Sequence, residues 1–131
     1  MTHLIDGLSV RFTHCGSWKA WVWARGMERR LAPVAWRRDF CKDPDSDAPT
    51  QLVWFRSDAE VKEARSNPNP ILIVVAEARD YEEFPYRIRE FVSVFEGVPL
   101  EAARDDRGRE RGVEYQLIRR VRADTLAARQ S

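Results

Sequence analysis

The sequence predicts an α+β fold: a small, mostly antiparallel sheet with two helices, in the order β-β-β-β-α-β-α-β. Three observations lead there. The longest uninterrupted apolar run is Pro70 to Ala76, rich in β-branched residues, too short to cross a membrane and continuous enough to imply a strand covered on both faces. Residues 8–38 alternate apolar and polar with period two, as half-buried strands do. Ser57-Asp58-Ala59-Glu60 has the form of a capping box, which opens a helix. At 131 residues the chain is expected to be one domain, 1–131.

Taken in order, Leu8, Val10 and Phe12 alternate with Ser9, Arg11 and Thr13 in a first strand. Cys15-Gly16-Ser17 offers a turn, and alternation resumes from Trp18 to Arg25. Gly26-Met27-Glu28 turns the chain again into a third strand, Arg29 to Arg38, placed at a sheet edge because Pro33 cannot donate to a ladder. Residues 39–50 are dense in turn formers and read as a loop. Gln51 to Arg56 is a fourth strand, followed by a helix from Ser57 to about Ser66 that Asn67-Pro68 stops.

The apolar run is then the central strand. Ile88, Phe91, Val92 and Phe95 fall at i, i+3, i+4 and i+7, behind the acids Asp80, Glu82 and Glu83, so a second helix is expected over 82–96, ended by Gly97 and Pro99. Residues 101–112 read as a charged, mobile loop. Val113, Tyr115, Leu117, Arg119 and Val121 alternate in a last strand, and the tail 123–131 reads as a frayed helical turn.

Composition narrows the function classes. There is no run of about 18 apolar residues, and Met1 to Asp6 lacks the basic and apolar regions of a signal peptide. Two cysteines, Cys15 and Cys41, suit reduced thiols in a cytoplasm better than a disulfide framework. The net charge of +1 hides an asymmetry: residues 1–42 carry +5 and the remainder −4. Nineteen of the twenty-two basic residues are arginine, which also fits a GC-rich coding bias.

The sharpest feature is in the second strand. Alternation puts Trp18, Ala20, Val22 and Ala24 on one face and Lys19, Trp21, Trp23 and Arg25 on the other. With Arg11 from the first strand and Arg30, Trp36 and Arg38 from the third, in-register pairing would build one patch of Trp and Arg. Such a patch suits a protein partner, because Trp and Arg dominate interface hot spots. It also suits single-stranded nucleic acid, through phosphate neutralisation and base stacking. A third reading packs the indoles under the domain's own helices, with arginines stacked at the rim.

Other constellations fall short of a site. Asp43, Asp45 and Asp47 alternate as in a calcium loop, but Ala48 and Trp54 stand where glycine and glutamate are required. Asp45 with Glu60-Val61-Lys62 resembles a metal-dependent nuclease set, yet the latter three fall in a helix. His3, His14, Cys15 and Cys41 match no compact zinc spacing, and His14-Cys15 point to opposite faces. Glu77, Asp80, Glu82 and Glu83 are read as complementing a helix dipole.

The sequence therefore points to a non-enzymatic binding module acting on a protein partner, as an inhibitor or accessory factor, through Arg11, Lys19, Trp21, Trp23, Arg25, Arg30, Trp36 and Arg38. The Arg-rich segment 104–111 would add contacts. Single-stranded nucleic-acid binding through the same face is the alternative, and metal-dependent hydrolysis the remote one. No cofactor, metal or membrane is implied, and a homodimer through the same face is compatible with the pattern.

Overall fold

The computed structural model describes residues 2–13, 19–42, 46–82 and 87–130. Its chain order is β1 (His3–Ile5), β2 (Leu8–Phe12), β3 (Lys19–Trp23), β4 (Arg30–Trp36), a 3-10 turn (Arg37–Asp39), β5 (Phe40–Lys42), β6 (Thr50–Trp54), α1 (Asp58–Ser66), β7 (Ile71–Ala78), β8 (Ile88–Arg104), β9 (Glu110–Arg120) and α2 (Ala123–Gln130). The expected small α+β sheet is thus corrected to a mostly β protein. Among the described residues, nine strands form one mixed sheet in the order β1-β2-β3-β4-β7-β8-β9-β6-β5, with two short helices.

Strand β7 occupies the middle of that order, and its alternation explains the architecture. Leu72, Val74 and Ala76 face a first core, with the inner faces of β1–β4 and with Leu126 of α2. Ile73 and Val75 face a second core, with β6, β9 and Val61 of α1. The apolar run has no polar interruption because neither of its faces meets water. Each fully buried Val or Ile there contributes about 1.5–3 kcal/mol.

The sheet curves in opposite senses around the two cores. On the first, β1 comes against β8, where the His3 and Phe91 rings meet edge-on at 4.9 Å. On the second, β6 comes against β4, and Gln51 Nε2 donates to the Trp36 carbonyl at 3.1 Å.

Strand β4 is internal, not an edge. It pairs antiparallel with β3 and parallel with β7, and Pro33 is tolerated because the β7 ladder begins only at Val34. The parallel pairing requires a crossover, which the 3-10 turn, β5, β6 and α1 supply.

The helix expected over 82–96 is absent from the described part of that span; Ile88–Arg104 is a long strand. Its three-residue spacing has a local cause. The β7–β8 ladder is bulged between Val75 and Ala76 and again between Glu77 and Ala78. Each bulge adds one residue to β8, so Ile88, Phe91 and Val94 all reach the first core at intervals of three, which imitates a helix.

Residues 101–112 form the end of β8, a turn and the start of β9. Asp105 organises the turn: its Oδ1 accepts from the Arg107 and Arg109 amides at 2.9 Å, and Gly108 supplies the left-handed residue at φ 75°. The tail forms α2, whose first turn is docked, with Leu126 fully buried and the Ala123 amide donating to the Asp6 carbonyl at 3.1 Å. Strand β1 was not anticipated. It turns into β2 through Asp6-Gly7, both at positive φ, as a two-residue hairpin turn requires. The capping box at α1 forms: Ser57 Oγ accepts from the Glu60 amide, while Glu60 Oε2 accepts from the Arg56 amide.

Candidate recognition surface

The outer face of β1–β4 is where most of the sequence-predicted residues lie. Register pairs Arg11 with Trp21 and Trp21 with Leu31, so these three form one transverse row. The next row pairs Leu4 with Ser9 and Ser9 with Trp23. Lys19 pairs with Pro33 on the other side. Below this face the alternate residues Val10, Val22, Ala20 and Ala32 are buried in the first core. Period two therefore leaves the outward set without a choice of face.

Helix α1 packs on β8 and β9, so it covers the second-core half of the sheet. Among the described residues no helix packs on the outer face of β1–β3 strongly enough to shield it, and its outward residues stay open. Leu4 is 78 % exposed, Leu31 47 % and Trp21 36 %. Trp23 is half-buried, and the Arg29 guanidinium lies 4.5 Å from its ring centre in a cation–π contact.

Not every predicted member joins. Trp36 points the other way: it is 5 % exposed, within the first core, edge-on to Tyr81 at 6.1 Å. The alternation of β4 puts Trp36 with Ala32 and Val34, and those pair toward the core. Arg30 shares that inner parity through its pairing with Val22. Arg38 lies in the 3-10 turn, over the opposite side of the first core, with its guanidinium 4.6 Å from the Tyr81 ring centre. Arg25 follows β3, exposed in the turn before Gly26. Trp18 lies outside the described residues.

The contiguous set is thus Arg11, Lys19, Trp21 and Trp23, with Leu4, Arg29 and Leu31 as members that strand patterning overlooked. Leu4 belongs to β1, which the Asp6-Gly7 dipeptide signals. Leu31 is outward because Ala32, Val34 and Trp36 take the inner parity of β4.

Leu31 and Lys19 also line a groove of about 220 Å³ beside α1, walled by Pro33, Phe55, Ile71 and Pro99, with Glu60 and Glu63 on its helical side. The open face therefore runs into a partly apolar recess. It can bury apolar area and offer cations around it, which is the chemistry of recognition.

The other sequence candidates are dispersed. Glu77 lies in β7 between Arg37 at 3.6 Å and Arg89 at 3.8 Å, so ion pairing, not a helix dipole, answers its charge. Asp80 Oδ1 accepts from the Glu82 amide in an Asx turn. Glu83, His14, Cys15, Asp43 and Asp45 lie outside the described residues. Among the described residues no three His, Cys, Asp or Glu side chains converge as metal ligands. Burial, and then the Glu114 carboxylate, push the Cys41 thiol up, which holds it protonated rather than as a thiolate. Burial likewise pushes the Asp39 carboxyl up, against the opposing Arg38 charge and a Trp54 hydrogen bond.

No helix among the described residues is long and apolar enough to cross a membrane. Compared with models of known families, with curated proteins and with solved structures, the chain matches none.

Proposed function

We propose that this chain is a non-enzymatic binding module that takes a protein partner, as an inhibitor or accessory factor, on the outer face of β1–β4. The observation that carries the reading is the contiguous exposure of Leu4, Trp21 and Leu31 on sheet rows flanked by Arg11, Lys19 and Arg29. A large indole beside a leucine, rimmed by arginine, is the composition of an interface hot spot. Single-stranded nucleic acid fits less well. It asks for free aromatic faces, and Arg29 already covers one face of Trp23. The two-cysteine composition supports a cytoplasmic setting.

The test is capture with the purified chain as bait. Wild type is expected to retain a discrete protein that Trp21→Ala and Leu31→Ala lose while still unfolding cooperatively. A self-association lost with the same variants would make the partner a second copy. If single-stranded oligonucleotide quenches Trp fluorescence at 50 mM salt and no protein is retained, the nucleic-acid reading replaces this one.

A further inference from the structure

The two long sides of α1 are chemically unlike. Glu60, Glu63, Ala64 and Asn67, spaced i, i+3, i+4 and i+7, line the groove described above. Asp58, Val61, Lys62 and Arg65 have the same spacing on the other side, and they form one wall of a separate cleft of about 490 Å³. The β8–β9 hairpin forms the opposite wall, contributing Arg104, Arg109 and Arg111.

Five cations therefore converge from a helix and a hairpin on one concavity, against Asp58 and Glu110 in its lining and Asp105 paired to Arg109, for a net charge of +2. Asp58 and Glu110 are already engaged. Asp58 pairs with Arg111, and Glu110 lies 3.9 Å from Arg104. Arg109 is held by Asp105 at 3.0 Å, and Arg104 Nη1 donates to the Gly108 carbonyl. These contacts fix three guanidinium groups before any ligand arrives, and a guanidinium with one partner still has N–H donors to spare. Lys62 and Arg65 are exposed and make no ion pair with a described carboxylate. The cleft thus combines a paired arginine wall with two exposed cations that no described carboxylate neutralises.

We propose that this cleft binds a small oligophosphate group, with Lys62 and Arg65 closing on it against Arg104, Arg109 and Arg111. Adjacent phosphates carry the charge opposite to the cleft's positive excess, and guanidinium forks match phosphate oxygens geometrically. The cleft is distinct from the recognition face, since it is built from the opposite side of α1 and from the hairpin. It does not depend on the protein-partner reading.

The experiment is calorimetric titration of the full chain with inorganic tripolyphosphate at 50 mM salt, alongside amide NMR mapping of the wild type. Saturable binding is expected, with shifts at residues 62, 65 and 104–111. Lys62→Ala/Arg65→Ala is expected to weaken it by about tenfold or more with an unchanged melting temperature, as exposed side chains allow. Absence of saturable heat, shifts elsewhere, or equal affinity in the double variant would each overturn the assignment. So would an equal response to sulfate at matched ionic strength, which marks general ionic screening. An oligonucleotide that binds where tripolyphosphate does not would also overturn it, and would assign the cleft to a phosphodiester backbone.

Discussion

Arg11 stands directly opposite Trp21 in the β2–β3 ladder, on the outer face of the sheet, where both are exposed. Leu31 continues the same row in β4. A cation, an indole and a leucine are thus held on rigid strands, where binding costs little ordering of the chain. Trp36, four residues beyond Ala32 on the inner parity, sits in the core instead.

The two indoles should therefore respond unequally to truncation. Trp36→Ala is expected to cost about 3–5 kcal/mol, as loss of a buried aromatic does. Trp21→Ala should cost clearly less, about 1–2 kcal/mol, because its ring is part-exposed. Urea unfolding of both variants checks this, and similar losses for the two would place Trp21 in the core.

Gln51 closes the second core by donating to two carbonyls, Trp36 at 3.1 Å and Leu52 at 2.8 Å, while fully buried. Gln51→Ala should destabilise by roughly 1–3 kcal/mol, because it leaves buried carbonyl groups unanswered. Amide exchange should accelerate first where β4 faces β6.

Much of this was legible in the residues. Pro70–Ala76 announced a strand buried on both faces, and period two identified β2, β3 and β4. Ser57 and Glu60 located the start of α1. The rest depends on long-range pairing that local patterns do not carry. Ile88, Phe91 and Val94 share a face only because two bulges in the β7–β8 ladder each absorb a residue. The charges of 104–111 hid a hairpin whose shape comes from Asp105 and Gly108. On the surface, alternation puts Trp21 outward, where it is 36 % exposed. Trp36 turns inward because Ala32 pairs with Ala20 on the core side, a register that local alternation does not carry.

Tyr115 is 1 % exposed, and its hydroxyl has no hydrogen-bond partner among the described residues. Burial pushes its pKa from 10.0 up to about 12. The folded state therefore holds the proton longer than the unfolded state does. Its contribution to stability is fully present below about pH 10 and is lost as pH rises through about 12, by roughly 2–3 kcal/mol. Tyr115→Phe should remove this alkaline loss and leave stability at neutral pH equal or higher. Denaturant titrations across pH 8–12, wild type against variant, decide it.

Asp105 behaves in the opposite sense. The Arg109 amide, with further donors from Arg107 and the Arg109 side chain, holds its carboxyl below the ordinary 3.8. Its contribution to the hairpin is present above that value and is lost as pH falls below it. Asp105→Ala should raise amide exchange across residues 105–109 at neutral pH, whereas wild type should show the same loosening only in acid. Unchanged protection in the variant would remove Asp105 from its organising role.

The surface of β1–β4 is proposed to take another protein. Site-specific photo-crosslinking from position 31, beside Trp21, tests it most directly, with position 118 on β9 as an equally exposed control. A discrete protein adduct is expected at 31, disappearing with Trp21→Ala and not forming at 118. No adduct at 31, or the same adducts from both positions, would contradict it.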